Sequence, residues 1–483
     1  MERARKKKLR NLRILATNIF MGLSIVSLAG VITLLAMGFR LSKDGGLEQS
    51  GLVQIKSNPN GATVEINGVT QFYRTEMNKM LSDGSHEIVV TKSGYDTWST
   101  TVDIERGLLT RIDWVRLFPL KRTIEDVRAF KPLRLVSASP DKYYLALLPE
   151  ESTQLQLIDV HLDDVKYTNL DLALVLGITP PGPSAVIAPT GQLSVTQWSA
   201  NHNKFLLKWA HDSIAEWILI DIATPANSIN LTKAFAMNFA NLQIADAAAT
   251  KIWATENRNL RLIHTDSTTI SNVLIPHVEE FVADTTTISF IGIDAESRHV
   301  IGIYKEGEKG TTTIQEITDD VSAYRIAIGS NWKDEWVAYS LDNRLFVRIG
   351  NHPSYQGGTK LRTIIENDLE FTPTLLTPSP TGRFLIASTA EQVTSIDIEI
   401  EKRFDYDFPG STINWLDDFL LWTDQDDKLS IIDFNGENRR ELADITSGFD
   451  LALTTNNRWI YFIVSQEDEA TKTTSFTLKR ERL

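Results

Sequence analysis

At 483 residues the chain is long enough for two or more domains, and with 42% hydrophobic and 23% charged residues it has the composition of a folded protein, not of a disordered one. The absence of cysteine removes disulfides and thiolate metal sites, and the net charge of −13 disfavours nucleic acid and anionic surfaces as partners of the bulk of the chain. Stability must then come from packing, which a chain of this length can supply.

Residues 1–13, MERARKKKLRNLR, carry seven Lys/Arg against one Glu, a net of +6 that leaves −19 on the remainder. Residues 14–39, ILATNIFMGLSIVSLAGVITLLAMGF, then run for 26 positions without a charge. As a helix this stretch reaches about 39 Å, enough to cross a hydrocarbon core of about 30 Å with some tilt. A cleaved signal sequence would have a shorter apolar region and small residues at its end, and Met37-Gly38-Phe39-Arg40 offers no such site. The expectation is a single transmembrane helix over 14–39 with the basic tail 1–13 on the cytoplasmic side and everything after it outside. The span has no G-x-x-x-G, so it gives no reason to invoke helix dimerisation, and the sequence specifies no oligomeric state.

Residues 40–50 read as a flexible polar linker containing Gly45-Gly46. From Gly51 the pattern alternates: Val53 and Ile55, a turn at Asn58-Pro59-Asn60-Gly61, then Val64 and Ile66 up to Asn67-Gly68. HEIVVTK, a turn at Ser93-Gly94, TWSTTVDIE and LTRIDWVRLF follow, about five short strands in all and therefore a small β-sandwich over 51–120. In this reading Pro59, Gly61, Gly68 and Gly94 serve backbone geometry, and Tyr95 and Trp98 serve packing before any glycan stacking.

SNPNGATVEING followed by DGSHEIVVTKSGYDTW resembles the PEGA domain, a family named for a Pro-Glu-Gly-Ala turn between its first two strands. Here the turn is Pro59-Asn60-Gly61-Ala62, with Asn in place of Glu, and the later signature is Lys92-Ser93-Gly94-Tyr95. The intervening GVTQFYRTEMNKMLSD departs furthest from the family pattern. The resemblance implies a surface-exposed β module that binds or scaffolds at the cell envelope, with no catalytic motif to transfer.

Residues 121–132 read as a connector. Beyond them a unit recurs: LVSASPDKYYLALL (135–148), QWSANHNKFLLKW (197–209), QIADAAATKIWAT (243–255), FVADTTTISFIGI (281–293), IAIGSNWKDEWVAYS (326–340), LLTPSPTGRFLIAS (375–388), INWLDDFLLWT (413–423) and LALTTNNRWIYFIV (451–464). Each is a strand, a polar turn and an intensely apolar strand, and most continue into a third such as LQLIDV, WILIDI, VTSIDI or LSIIDF. The turns are spaced 36 to 60 residues apart, bracketing the interval of about 40–50 expected of propeller blades. The Ser-Pro-Asp and Ser-Pro-Thr turns are similar to those of TolB-like and WD-like repeats, so 133–483 is expected to be a β-propeller of eight blades. Seven is the alternative count, since the fourth unit is elongated and the second follows the insert DLALVLGITPPGPSAVIAPTG.

No chemistry-bearing constellation emerges. G-x-S-x-G, a P-loop and a Rossmann glycine pattern are all missing, and the H-E-x-x-H that begins at His86-Glu87 fails at Val90. Asp424-Gln425-Asp426-Asp427-Lys428 has Lys where a Ca²⁺ loop needs a ligand. His202 and His211, the one close histidine pair, flank an apolar strand and should not converge, so both are read as surface residues. Ser139 and Asp141 suit turn hydrogen bonds. No residue is therefore assigned to catalysis, a cofactor or a metal. The expected function is a membrane-anchored envelope protein of a bacterial plasma membrane that binds or scaffolds a protein or cell-wall glycan. A propeller-bearing extracytoplasmic hydrolase or lyase, and simple self-assembly, are the alternatives.

Overall fold

The computed structural model describes residues 2–36, 38–41, 47–178, 189–332, 334–353, 355, 361–408, 413–467 and 474–483. The chain divides into two compact units, 1–122 and 123–483. The middle of the insert before the second repeat, 179–188, lies outside the described residues.

In the first unit a helix runs over Glu2–Ala36, and its apolar window Leu15–Leu34 has no buried part. The uncharged stretch was expected to be helical to Phe39, but the helix stops at Ala36. Gly38 takes φ +85°, and Phe39–Leu41 pairs antiparallel with Leu47–Gln49. The expected linker thus contains part of a short antiparallel strand pair, and residues 42–46 lie outside the described residues.

The module that follows has two sheets. In one, Gly51–Asn58 sits between Met77–Leu81 (antiparallel) and Leu109–Arg116 (parallel). In the other, the order is Val69–Arg74, Thr63–Ile66, Gly84–Thr91, Trp98–Ile104. The inward positions of the alternating strands meet in one core of Val53, Ile55, Val64, Ile66, Ile88, Val90, Trp98 and Ile112. Seven strands stand where about five were expected. The added pair, 69–74 and 77–81, lies in the least regular stretch of the sequence.

The second unit contains eight four-stranded antiparallel sheets among the described residues. They are numbered here as blades 1 to 7 (133–171, 192–230, 239–270, 278–316, 324–368, 375–407, 414–444) and blade 8 (452–482 plus 124–130). The first strands of blades 1 to 6 adjoin in succession, which places them around the axis of a propeller. Second strands are covered on both faces, and this accounts for their unbroken apolar runs: Leu145 to Leu148, Phe205 to Leu207 and Phe384 to Ala387 are all buried. The outermost strand of blade 1, Lys166–Asp171, is largely exposed and accordingly polar, and that of blade 6, Lys402–Asp407, is part-buried.

The core is a set of layers between neighbouring blades, not one central mass. One layer joins blades 1 and 2 through Leu148, Leu157, Trp198 and Phe205, another joins blades 5 and 6, and a third joins blade 8 to blade 1 through Tyr461, Ile463, Leu145 and Leu147. Tryptophan N–H groups cross between blades: Trp253 Nε1 donates to the Thr285 carbonyl at 3.0 Å and Trp336 Nε1 to that of Gly382 at 2.8 Å.

The segment 121–132 is more than the connector it was expected to be. Ile124–Phe130 pairs antiparallel with the chain's last strand, Thr474–Arg482, and completes blade 8. Ring closure therefore joins the start of the propeller sequence to its end.

Candidate functional site

The turns that punctuate the repeats come first, since they hold the most recurrent polar residues. In blade 1 the Ser139 hydroxyl donates to Asp141 Oδ1 at 2.5 Å and accepts from the Tyr144 N–H at 3.0 Å, while Asp141 also accepts from the Tyr143 N–H. Ser199 with Asn201 in blade 2 and Thr454 with Asn456 in blade 8 repeat the arrangement. The fourth turn residue is left-handed each time: Lys142 (φ +67°), His202 (+59°), Gly382 (+73°) and Asn457 (+51°). Only Gly382 is obligatory, because a Cβ there would lie 2.3 Å from the Ser330 carbonyl oxygen. These are structural devices, as the turn chemistry suggested.

A second recurrent residue escaped the sequence reading. The third strands quoted above end in Asp, and three of these aspartates cap the turn that follows. Asp159 Oδ1 accepts from the His161 N–H, Asp221 Oδ1 from that of Thr224, and Asp397 Oδ1 from that of Glu399. The repeated Ile-Asp ending was the available signal.

The histidines do not assemble. His202 and His211 sit at opposite ends of Lys204–His211 and stay apart as expected, but neither is a simple surface residue. His202 Nε2 lies 2.9 Å from Asp141 in the neighbouring blade, and His211 stacks on Trp209 and lies 3.5 Å from the buried Glu216. His86 is buried in its strand between the Asn67 side-chain amide (2.9 Å) and the Ser82 carbonyl (2.8 Å), and a proton on Nε2 satisfies both. Of the aspartates in 424–427, Asp424 accepts from the Gly448 N–H and Asp427 from Ser447, so these two are engaged as turn acceptors.

His352 is the most deeply buried imidazole of the propeller, with Nε2 3.1 Å from the Trp336 carbonyl and Nδ1 3.4 Å from Glu335. Burial pushes its pKa below the ordinary histidine value, against the opposing pull of Glu335. The unfolded chain then binds this proton more readily than the folded one, so stability is fully present above the unfolded value near ~6.5 and falls as pH drops below it. His352→Gln should remove that component. The check is a comparison of melting temperatures at mildly alkaline and mildly acidic pH, with the wild type losing more on acidification.

A polar assembly that draws on three blades lies where first strands begin. The Arg258 guanidinium from blade 3 pairs with Glu279 Oε1 of blade 4. Glu279 Oε2 lies 3.2 Å from His299 Nε2 of the same blade and accepts from the Tyr324 hydroxyl of blade 5 at 2.9 Å. Desolvation alone would raise the Glu279 pKa, but the Tyr324 hydrogen bond and the charges of His299 and Arg258 outweigh it and leave it lowered. Tyr324 is raised by burial and by Glu279, so its hydroxyl remains a donor. The neighbouring Glu280 is raised by desolvation against the charge of Arg325. Farther along the inner strands, Gln197 Oε1 accepts from the Ile244 N–H and Gln243 bridges to Phe281 and Ala283 of the next blade. Glu279 is thus a half-exposed carboxylate with its oxygens occupied by three donors. It is suited to fixing a recognition surface and poorly suited to taking up a proton. No run of sequence announces it, because its four residues come from four separate strands or turns.

In the first unit, the Lys92 ammonium reaches the Asn60 carbonyl and so ties the later signature to the first turn. Gly61 (φ +74°) and Gly94 (φ +83°) are left-handed, Ala62 is fully buried and donates its N–H to Thr75 Oγ1 at 2.9 Å, and the Tyr95 N–H closes a turn on the Lys92 carbonyl. Pro59 follows with its carbonyl accepting from the Ser57 hydroxyl at 2.8 Å. Trp98 is fully buried beside Trp114.

No curated protein matches the chain. Among solved structures, the chain is similar to the C-terminal WD40 domain of Sif2 (13% identity, TM-score 0.45, 74% of this chain and 97% of that one). It is also similar to an oligogalacturonate lyase in complex with manganese (15%, TM-score 0.39, 59% and 87%). A third likeness is to apo AztD from Citrobacter koseri (9%, TM-score 0.38, 81% and 96%). Residues 50–115 match the PEGA domain family, so the chain carries a PEGA domain followed by a C-terminal β-propeller.

Proposed function

We propose that this is a single-pass protein of a bacterial plasma membrane, with its N-terminus in the cytoplasm, that holds its PEGA domain and propeller outside to bind or scaffold a protein or glycan partner. The observation that carries the reading is the helix at Leu15–Leu34, long and apolar enough to span a bilayer, preceded by seven Lys/Arg in 13 residues. The Glu279 cluster is consistent with a binding role: three donors from three blades hold the carboxylate in place and lower its pKa, which suits a fixed recognition surface.

The test is protease treatment of intact cells, with outer layers made permeable, while a C-terminal tag is followed. Loss of the tag with survival of the N-terminal tail is the expected result. A tag protected under those conditions reverses the orientation and removes the envelope role with it.

A further inference from the structure

We infer that the base of the PEGA domain rests on the lipid surface, through an apolar row formed by Met80, Leu52 and Leu109 with Leu108 beside it. The inference depends on the helix being a membrane anchor. Gly51–Asn58 is the middle strand of its sheet, and in its register Leu52 faces Met80 on one side and Leu109 on the other. The neighbouring Val53 is fully buried, so the alternation sends Leu52 and its two partners to the outer face. Leu52, Leu109 and Leu108 are 37%, 47% and 55% exposed. The next row on the same face is Asn78, Gln54 and Arg111, which is polar. The outer face is therefore apolar at one end only.

That end is where the chain arrives from the helix. The Ser50 N–H donates to the Gly38 carbonyl at 2.9 Å, the Gly107 N–H to the Ser50 carbonyl at 3.2 Å, and the Leu52 N–H to the Leu108 carbonyl at 2.9 Å. A Cβ on Gly38 would lie 3.3 Å from the Met80 methyl carbon. Gly38 is four residues past the end of the apolar window Leu34, at most about 14 Å of extended chain. The interfacial layer on each side of a bilayer is about 5–8 Å deep, within the reach of that chain, so a sheet end tied to Gly38 by the Ser50 N–H can sit at that depth once the helix is inserted. Three leucines and a methionine at the tethered end, with polar residues one row farther out, are the distribution a lipid surface selects. Phe72, 92% exposed on the Val69–Arg74 strand, belongs to the other sheet and is not part of this row.

The absence of native cysteine makes a direct test available. Single variants Leu108→Cys, Leu109→Cys, Phe72→Cys and Val26→Cys of the full chain would each carry an environment-sensitive fluorophore. All would be reconstituted into phosphatidylcholine–phosphatidylglycerol vesicles containing lipids spin-labelled near the headgroup or deep in the acyl chain. The expected result is deep quenching at position 26, headgroup-level quenching at 108 and 109, and none at 72. Quenching at 26 with positions 108 and 109 behaving like 72 overturns the inference and leaves the anchor standing. A blue-shifted emission at 108 that neither lipid quenches also overturns it, in favour of a protein covering the row. No quenching at 26 removes the anchor itself, and the inference falls with it.

Discussion

Asp397→Ala is expected to cost the propeller about 3–5 kcal/mol, the penalty for leaving one member of a buried ion pair behind. Asp397 is 1% exposed, and its oxygens lie 2.8 and 3.3 Å from Arg383 Nη2 and Nε. The same carboxylate accepts from the Glu399 N–H at 3.0 Å, so the substitution also uncaps the turn after the third strand of blade 6. Arg383, 12% exposed, lies over the rings of Phe384 and Phe419 at 4.9 and 5.8 Å, and Glu399 at 3.1 Å is its other carboxylate partner. Removing Asp397 would leave a guanidinium among aromatic rings without its most buried carboxylate partner. Calorimetry on the full-length protein in detergent should show a melting temperature several degrees lower. Asp159→Ala, at the matching position of blade 1 where the carboxylate is more exposed, should have a much smaller effect. Replacing both partners, Arg383→Met with Asp397→Leu, should recover much of the loss, because an apolar pair of similar volume leaves no buried charge. If the two single substitutions melt alike, burial is not what makes Asp397 matter.

The contrast between these two aspartates marks where sequence reading stops. Both end an apolar third strand in an Ile-Asp pair, and nothing local separates them. Exposure differs because the surrounding blades differ, and that is a tertiary property. The eight-fold repeat was legible for the opposite reason. Every second strand is sandwiched between neighbouring blades, so each writes its burial into the chain as an apolar run, as in Leu145–Leu148 or Phe384–Ala387. Val69–Arg74, in the PEGA domain, writes nothing of the kind: it is an edge strand exposed along nearly its whole length, so no alternation marks it. The N-terminal apolar segment was legible by length, but its end was not. The helix ends at Ala36, three residues before the last apolar position Phe39, and only the turn at Gly38 and the pairing of Phe39–Leu41 with Leu47–Gln49 reveal it. The Arg258–Glu279–His299–Tyr324 cluster was the least legible feature, since its spacing in sequence reflects blade geometry and has no motif of its own.

The closing strand should produce a larger effect than any single substitution. Ile124–Phe130 pairs with Thr474–Arg482 from Ile124 against Glu481 to Phe130 against Phe476. Lys479 reaches Asp126 at 3.1 Å and Arg480 reaches Glu125 at 2.7 Å, and both are partly exposed pairs that add little beyond register. The main contribution is the layer between blades 8 and 1. Phe130 and Phe476 are buried there with Tyr461, Ile463, Leu145 and Leu147, and truncating one such phenylalanine typically costs about 3–5 kcal/mol. Replacing 124–130 by a Gly-Ser linker of equal length keeps the chain connected but removes the outer strand of blade 8 and Phe130 together. It leaves Thr474–Arg482 as an unpaired edge. The expected outcome is early proteolytic cleavage within 474–482 and a lower, broader melting transition. The same replacement of Lys166–Asp171, an exposed outer strand that closes no ring, is the control and should stay a more local change. A synthetic peptide spanning 121–132 should restore protection in the first variant by adding back its strand, since main-chain pairing and the Phe130 pocket are both still in place. If the two linker variants lose protection and stability equally, blade 8 is held by its own three strands and the ring needs no closing strand from the start of the domain.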